Sequence, residues 1–152
     1  MAEIKIARYN PRKDKEQLEA LLKAFEYRVG EVDLEKFNKE IEERSRDLRL
    51  RNAMVVAKED DKIVGAGFFS IWNDYLGRQH CVLHDVITRK EDAFKKGIEE
   101  MIFRELFSYL KKTMKIKKVS LYAKKHGDSN FLSILMKLGI KKSEWDHYEH
   151  EL

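Results

Sequence analysis

The stretch from His84 to Leu110 (HDVITRKEDAFKKGIEEMIFRELFSYL) constrains the fold more than any other. Val82, Leu83, Val86 and Ile87 are β-branched or apolar and read as a strand that Thr88 closes. A charged turn from Arg89 to Asp92 leads into a long amphipathic helix, with Phe94, Ile98, Met101, Ile102, Leu106 and Leu110 at helical spacing. Lys95, Lys96 and Gly97 then fall in the first turns of that helix. Cations there oppose the helix dipole, whereas a bound anion would draw on both the ammonium groups and the free N–H groups. A strand, a basic glycine-bearing turn and a helix therefore point to a phosphate site. The same residues also fit a solvated helix start that happens to carry lysines.

The chain around it reads as one domain, residues 1–152, long enough to bury about two thirds of its unfolded surface. Charged residues make up 38% of it, and the excess of Lys, Arg and Glu matches a thermophile-like surface of ion-pair networks. The charge is uneven: residues Arg89 to Gly127 hold 12 Lys or Arg against 5 Asp or Glu, while Glu31 to Asp61 hold 7 against 10. A nucleotide-like cofactor, a nucleic acid or an acidic surface would each suit the basic half. Cys81 is the only cysteine, which fits a reducing compartment. The start, MAEIKIARYN, lacks the apolar stretch of a signal peptide, and no run reaches membrane-spanning length. A soluble cytoplasmic protein with no membrane contact is expected.

In chain order, Glu3 to Tyr9 is a short strand, broken by Asn10-Pro11. Leu18, Leu21, Leu22 and Phe25 mark a helix that Gly30 ends, and Asp33 caps a second, with Leu34, Phe37, Ile41 and Leu48 inward. The charged face of that helix, with Glu40, Glu42, Glu43, Arg44 and Arg46, reads as solvated. Ala53 to Lys58 is a strand and Glu59 to Lys62 a polar hairpin turn. Ile63 to Trp72 is a long central strand in which Gly65 and Gly67 leave room for close contacts or a bulge. Gln79 to Thr88 is the next strand, and Lys117 to Ala123 another after the long helix. Gly127 to Asn130 is a turn, Phe131 to Leu138 a helix ending at Gly139, and Ile140 to Leu152 one or two strands anchored by Trp145 and Tyr148.

That order, with the segments IVGAGFFSIW, VLHDVITRKEDAFKKGIEEMI and NFLSILMKLGIKKSEW, resembles the GNAT superfamily of acetyl-CoA-dependent N-acetyltransferases over nearly the whole chain. The resemblance implies an α/β fold: a single GNAT-like domain with a mixed, mostly antiparallel sheet flanked by helices, in the order β-α-α-β-β-β-α-β-α-β. It implies a bulged fourth strand splayed from the fifth, with the acyl-pantetheine arm of acetyl-CoA in the gap. Val86, Ile87 and Thr88 would hold that arm through main-chain bonds, and Lys95, Lys96, Gly97 and Ile98 would hold the pyrophosphate. The family's phosphate-loop pattern, (Gln/Arg)-x-x-Gly-x-(Gly/Ala), is half present: with Gly97 as its first glycine, Phe94 and Glu99 replace the flanking motif residues. The family's closing helix carries an Asn and, seven residues later, a Tyr that acts as acid. Counting back from Gly139 puts Asp128 and Leu135 there, with Asn130 nearby.

Acetylating an amine requires a base for the ammonium and a proton for the departing thiolate. His84 is the candidate base, because imidazole titrates near neutrality, and a hydrogen-bonded sheet histidine is the plain alternative. His80 shares its face, and Asp85 points oppositely unless a bulge turns it. Tyr122 is the candidate acid, against an amphipathic core tyrosine. Cys81 reads as a small buried hydrophobe. His147 with Glu149 lacks further ligands, so no metal is expected. Lys111, Lys112, Lys115, Lys117 and Lys118 form a basic run without interleaved aromatics, which speaks against nucleic acid as a partner. The expected activity is transfer of an acetyl group from acetyl-CoA to a small-molecule or protein amine, by a chain acting alone or as a homodimer. The alternative is a binding or regulatory module that kept the fold and lost catalysis.

Overall fold

A computed structural model describes residues 3–123 and 129–152. They form two compact units, residues 1–122 and 123–152. The first unit opens with strand β1 (Ile4–Arg8) and helix α1 (Pro11–Ala24). The Asn10 side chain caps α1 by accepting from the Arg12 N–H at 3.0 Å, and Pro11 takes the first helical position, where no donor is needed. A single turn, α2 (Glu26–Val29), ends at Gly30 with φ 83°. Helix α3 (Leu34–Arg46) starts at Asp33, whose carboxylate accepts from the N–H groups of Glu35 and Lys36. Leu48 does not continue the inner face of α3: it opens the separate turn α4 (Leu48–Arg51) and is exposed.

Strands β2 (Val55–Glu59) and β3 (Lys62–Gly67) form a hairpin closed by Asp60 and Asp61, both at positive φ, as a tight turn with the twist of its strands requires. The expected long strands each break once. Ile63 to Trp72 divides at Phe68 into β3 and β4 (Phe69–Asn73). Gln79 to Thr88 divides into β5 (Gln79–Leu83) and β6 (Ile87–Thr88). One antiparallel sheet has the order β1-β2-β3-β6, and β4 pairs β5 in a second. The breaks share a cause. Phe69 pairs Leu83 and Ala66 pairs Ile87, so Gly67 and Phe68 stand opposite three residues, His84 to Val86. The extra residue is a bulge in the fourth strand of the resemblance, held by the His84 N–H donating to the Phe68 carbonyl at 3.1 Å. The strand expected over Lys117 to Ala123 reduces to one parallel bridge, Val82 to Ser120.

Helix α5 (Ile98–Lys112) buries Ile98, Ile102, Leu106 and Leu110, the stripe read from the sequence. It begins later than expected. Gly97, at φ 71°, is its N-cap, so Phe94, Lys95 and Lys96 belong to the preceding loop and not to the helix. Gly65 and Gly67 face α5, where an added Cβ would meet Ile98 and Ile102 side chains, so the close-contact expectation holds there. Val56, Ala66 and Phe68 join Leu18, Leu21, Leu22, Phe25 and Ile41 in a core cluster that draws on α1 and α3.

In the second unit, α6 (Ser129–Lys137) buries Phe131 and Leu135. It ends at Gly139, where the Ile140 N–H reaches the Leu135 carbonyl at 2.8 Å. No strand forms over residues 140–152, and Trp145 and Tyr148, expected as anchors, are exposed. Gly127 and Asp128 lie outside the described residues. The architecture is mixed α/β, with a mostly antiparallel sheet flanked by helices. Among the described residues no helix is long and apolar enough to cross a membrane.

Candidate active site

The bulge opens onto a cleft of about 390 Å³ within the first unit. Its walls come from α1, α2, α3, Phe68 and residues 84–87. A short strand break and three helices thus make a hollow that a continuous sheet would close. His84 lies on its wall, with Nε2 2.6 Å from Ser70 Oγ. Arg44 of α3 donates from Nη2 to the same Oγ at 2.7 Å, and from Nη1 to the Phe69 carbonyl oxygen. A guanidinium can only donate, so Ser70 Oγ accepts from Arg44 while it bonds His84 Nε2. The pKa of His84 is lowered, first by the packing around the ring and then by Arg44, against an opposing pull from Asp85. The imidazole is therefore neutral at neutral pH and can take a proton.

The bulge also turns Asp85 into the cleft, where it pairs with Arg28 at 3.1 Å. Glu40 pairs with Arg44 at 3.1 Å. The charged face of α3 is thus not wholly solvated, since the Arg44 side chain is only 12% exposed. Sequence reading missed Arg44, Ser70 and Arg28. A signal for Arg44 was present: it sits three residues after Ile41 and seven after Phe37, on the apolar stripe itself.

The other expected site residues are placed as follows. Val86 is buried in the bulge, and Ile87 lines the cleft. Thr88 is buried, and its carbonyl accepts from Tyr27 Oη at 3.2 Å. β6 is an edge strand of its sheet. Lys95, Lys96 and Gly97 are exposed in the loop, while the Ile98 side chain is fully buried, so only its main chain faces the turn. Lys96 bonds Asp92 at 3.0 Å and approaches Glu59 at 3.5 Å. Burial pushes the Asp92 pKa up, but bonds from Lys96 and Arg89 outweigh it and the net shift is downward. Glu99 is 3% exposed. Its Oε2 accepts from the Phe94 N–H at 2.8 Å, and its Oε1 has no hydrogen-bond partner among the described residues.

Tyr122 is exposed and does not line the cleft, and Asn130 is exposed on α6 in the second unit. His80 is held by Asp74 at 2.8 Å and stacks on Trp72, away from the cleft lining. Cys81 is buried, which raises its thiol pKa to about 11 and leaves it protonated at neutral pH. Among the described residues, no three His, Cys, Asp or Glu side chains group as metal ligands.

The chain has the fold of the GNAT acetyltransferases. Solved structures of that fold match the chain over nearly its full length. An aminoglycoside N-acetyltransferase in complex with CoA matches at a TM-score of 0.73 and 15% identity, over 99% of this chain and 96% of that one. A ribosomal-protein-alanine N-acetyltransferase from Brucella melitensis matches at 0.70 and 17%, over 98% and 99%. A GNAT family acetyltransferase from Staphylococcus aureus matches at 0.68 and 16%, over 100% of both chains. No protein-family model matches the chain, and no curated protein is similar to it in sequence.

Proposed function

We propose that this chain is an N-acetyltransferase that moves the acetyl group of acetyl-CoA to an amine held in the cleft. The observation that carries the reading is a neutral His84 beside Ser70 in the cleft at the strand bulge. His84 takes the proton of the bound ammonium, directly or through water. Arg44 anchors the Ser70 hydroxyl beside His84 Nε2. Acetyl-CoA, when bound, supplies the activated thioester carbon.

The residues fit the thioester arm. β6 is an edge strand, with the Thr88 carbonyl bonded by Tyr27, and Gly97 leaves the first turn of α5 accessible beside the exposed Lys95. The pyrophosphate turn fits less well. Glu99 folds its carboxylate onto the Phe94 N–H, and Lys96 is already paired with Asp92. Buried negative charge at that turn opposes a second anion. This favours a second reading, a binding or regulatory module on the GNAT fold that has lost catalysis.

Calorimetric titration with acetyl-CoA, with thiol release measured across a panel of amines, separates the two readings. Binding by the wild type, tighter in Glu99→Gln and weaker in Gly97→Glu, together with thiol release, is the expected result. Binding or release in none of the three proteins leaves the module reading.

A further inference from the structure

We infer that the amine for which this cleft is built is a primary amine on an apolar, preferably aromatic body, and not a polycation. The inference rests on the acetyltransferase reading for its chemistry, but on the cleft alone for its ligand class. Phe25, Phe37 and Phe68 contribute three aromatic rings to the walls, and Leu22, Val29 and Ile41 fill the space between them. Phe37 and Phe68 meet edge to face at 6.4 Å, an arrangement that a further ring can extend.

The charged groups on the walls cancel. Asp85 is bonded by Arg28 and Glu40 by Arg44, so each carboxylate already has a cation of its own. A polyamine would have to displace those guanidiniums or lie beside them, and its second and third ammonium groups would meet apolar side chains. Burying an unpaired cation against such a surface is costly, whereas one amine can be deprotonated at His84. The volume of about 390 Å³ suits a small aromatic amine. These features argue for one amino group at the His84 end and a hydrocarbon body between α1 and α3.

Calorimetry on the full chain tests this, with 2-phenylethylamine and spermidine as probes. We expect phenylethylamine to bind about tenfold or more tightly than spermidine, the discrimination that a few buried carbons give. Phe37→Ala should weaken phenylethylamine binding about tenfold by removing one ring from the wall. Val29 is 51% exposed at the rim, so Val29→Lys keeps the fold and adds an unpaired cation. It should weaken binding of both amines. Equal or tighter binding of spermidine, or no binding of phenylethylamine, overturns the inference. Thiol release with acetyl-CoA is read separately. Release with spermidine alone overturns the ligand class and leaves the transferase reading standing. Binding of phenylethylamine without release supports the ligand class and removes the transferase reading.

Discussion

His84 and Ser70 are close enough to share a proton, and Arg44 holds the Ser70 hydroxyl in place beside the ring. The depressed pKa of His84 fixes the sign of the pH dependence. A working base must be neutral, and the neutral fraction rises with pH, so the acidic limb of the rate profile should lie below the ordinary value of 6.5. His84→Ala should lower kcat by about a hundredfold or more and abolish that limb. The same shift acts on folding. The unfolded chain binds the proton more readily, so the stability cost is absent above the unfolded pKa near 6.5 and grows as pH falls below it. Urea titrations across that range should show wild type losing stability toward acid faster than His84→Ala. A rate limb above 6.5, or one kept by the variant, would exclude His84 as the base.

At the scale of elements, α5 packs closely on β3. Gly65 and Gly67 expose bare backbone to Ile98 and Ile102, which brings the helix near the sheet and carries its N-terminus to the turn beside β6. Gly67→Ala should cost about 1–3 kcal/mol, because the added methyl overlaps a β-branched side chain that has little rotamer freedom. The paired substitution Gly67→Ala with Ile102→Leu, which removes the Cγ2 that the new methyl would meet, should recover part of the loss in urea denaturation. No destabilisation in the single variant would mean that the helix stands further from the strand. The sequence marked these glycines as sites of close contact or a bulge: α5 packs on both, and the β2–β3 register shifts beside Gly65. It did not place the bulge that opens the cleft, which falls at His84 to Val86, where no glycine or proline occurs. Bulges set by register between two strands leave little local trace.

Across the first unit, α1 is tied to the sheet by a buried ion pair. Asp14 is fully buried, accepts from the Asn10 N–H at 2.8 Å, and bonds Lys58 of β2 at 2.9 Å. Asp14→Ala should therefore cost about 3–5 kcal/mol, since it strands a largely buried ammonium and frees a capped N–H. The double variant Asp14→Leu, Lys58→Met should be far less costly than the sum of its parts, because an apolar pair removes both desolvated charges together. A urea-based double-mutant cycle checks this, and additive losses would show that the pair contributes nothing of its own.

What the sequence determined by itself was whatever depends on neighbours along the chain. The caps at Asn10 and Asp33, the stop at Gly139, the polar turn at Asp60-Asp61 and the apolar stripe of α5 were all legible, because side chain and partner lie within a few residues. The α/β class with its mostly antiparallel sheet came from the resemblance, which the order of these elements carried. Tertiary structure alone decided the cleft. Arg44 meets Ser70 across 26 positions, and Arg28 meets Asp85 across 57. Nothing local distinguishes those residues from a solvated surface, except that Arg44 falls where a helix of this pattern should carry an apolar side chain. A charge on an apolar stripe must find a distant partner, and only the folded chain says which one.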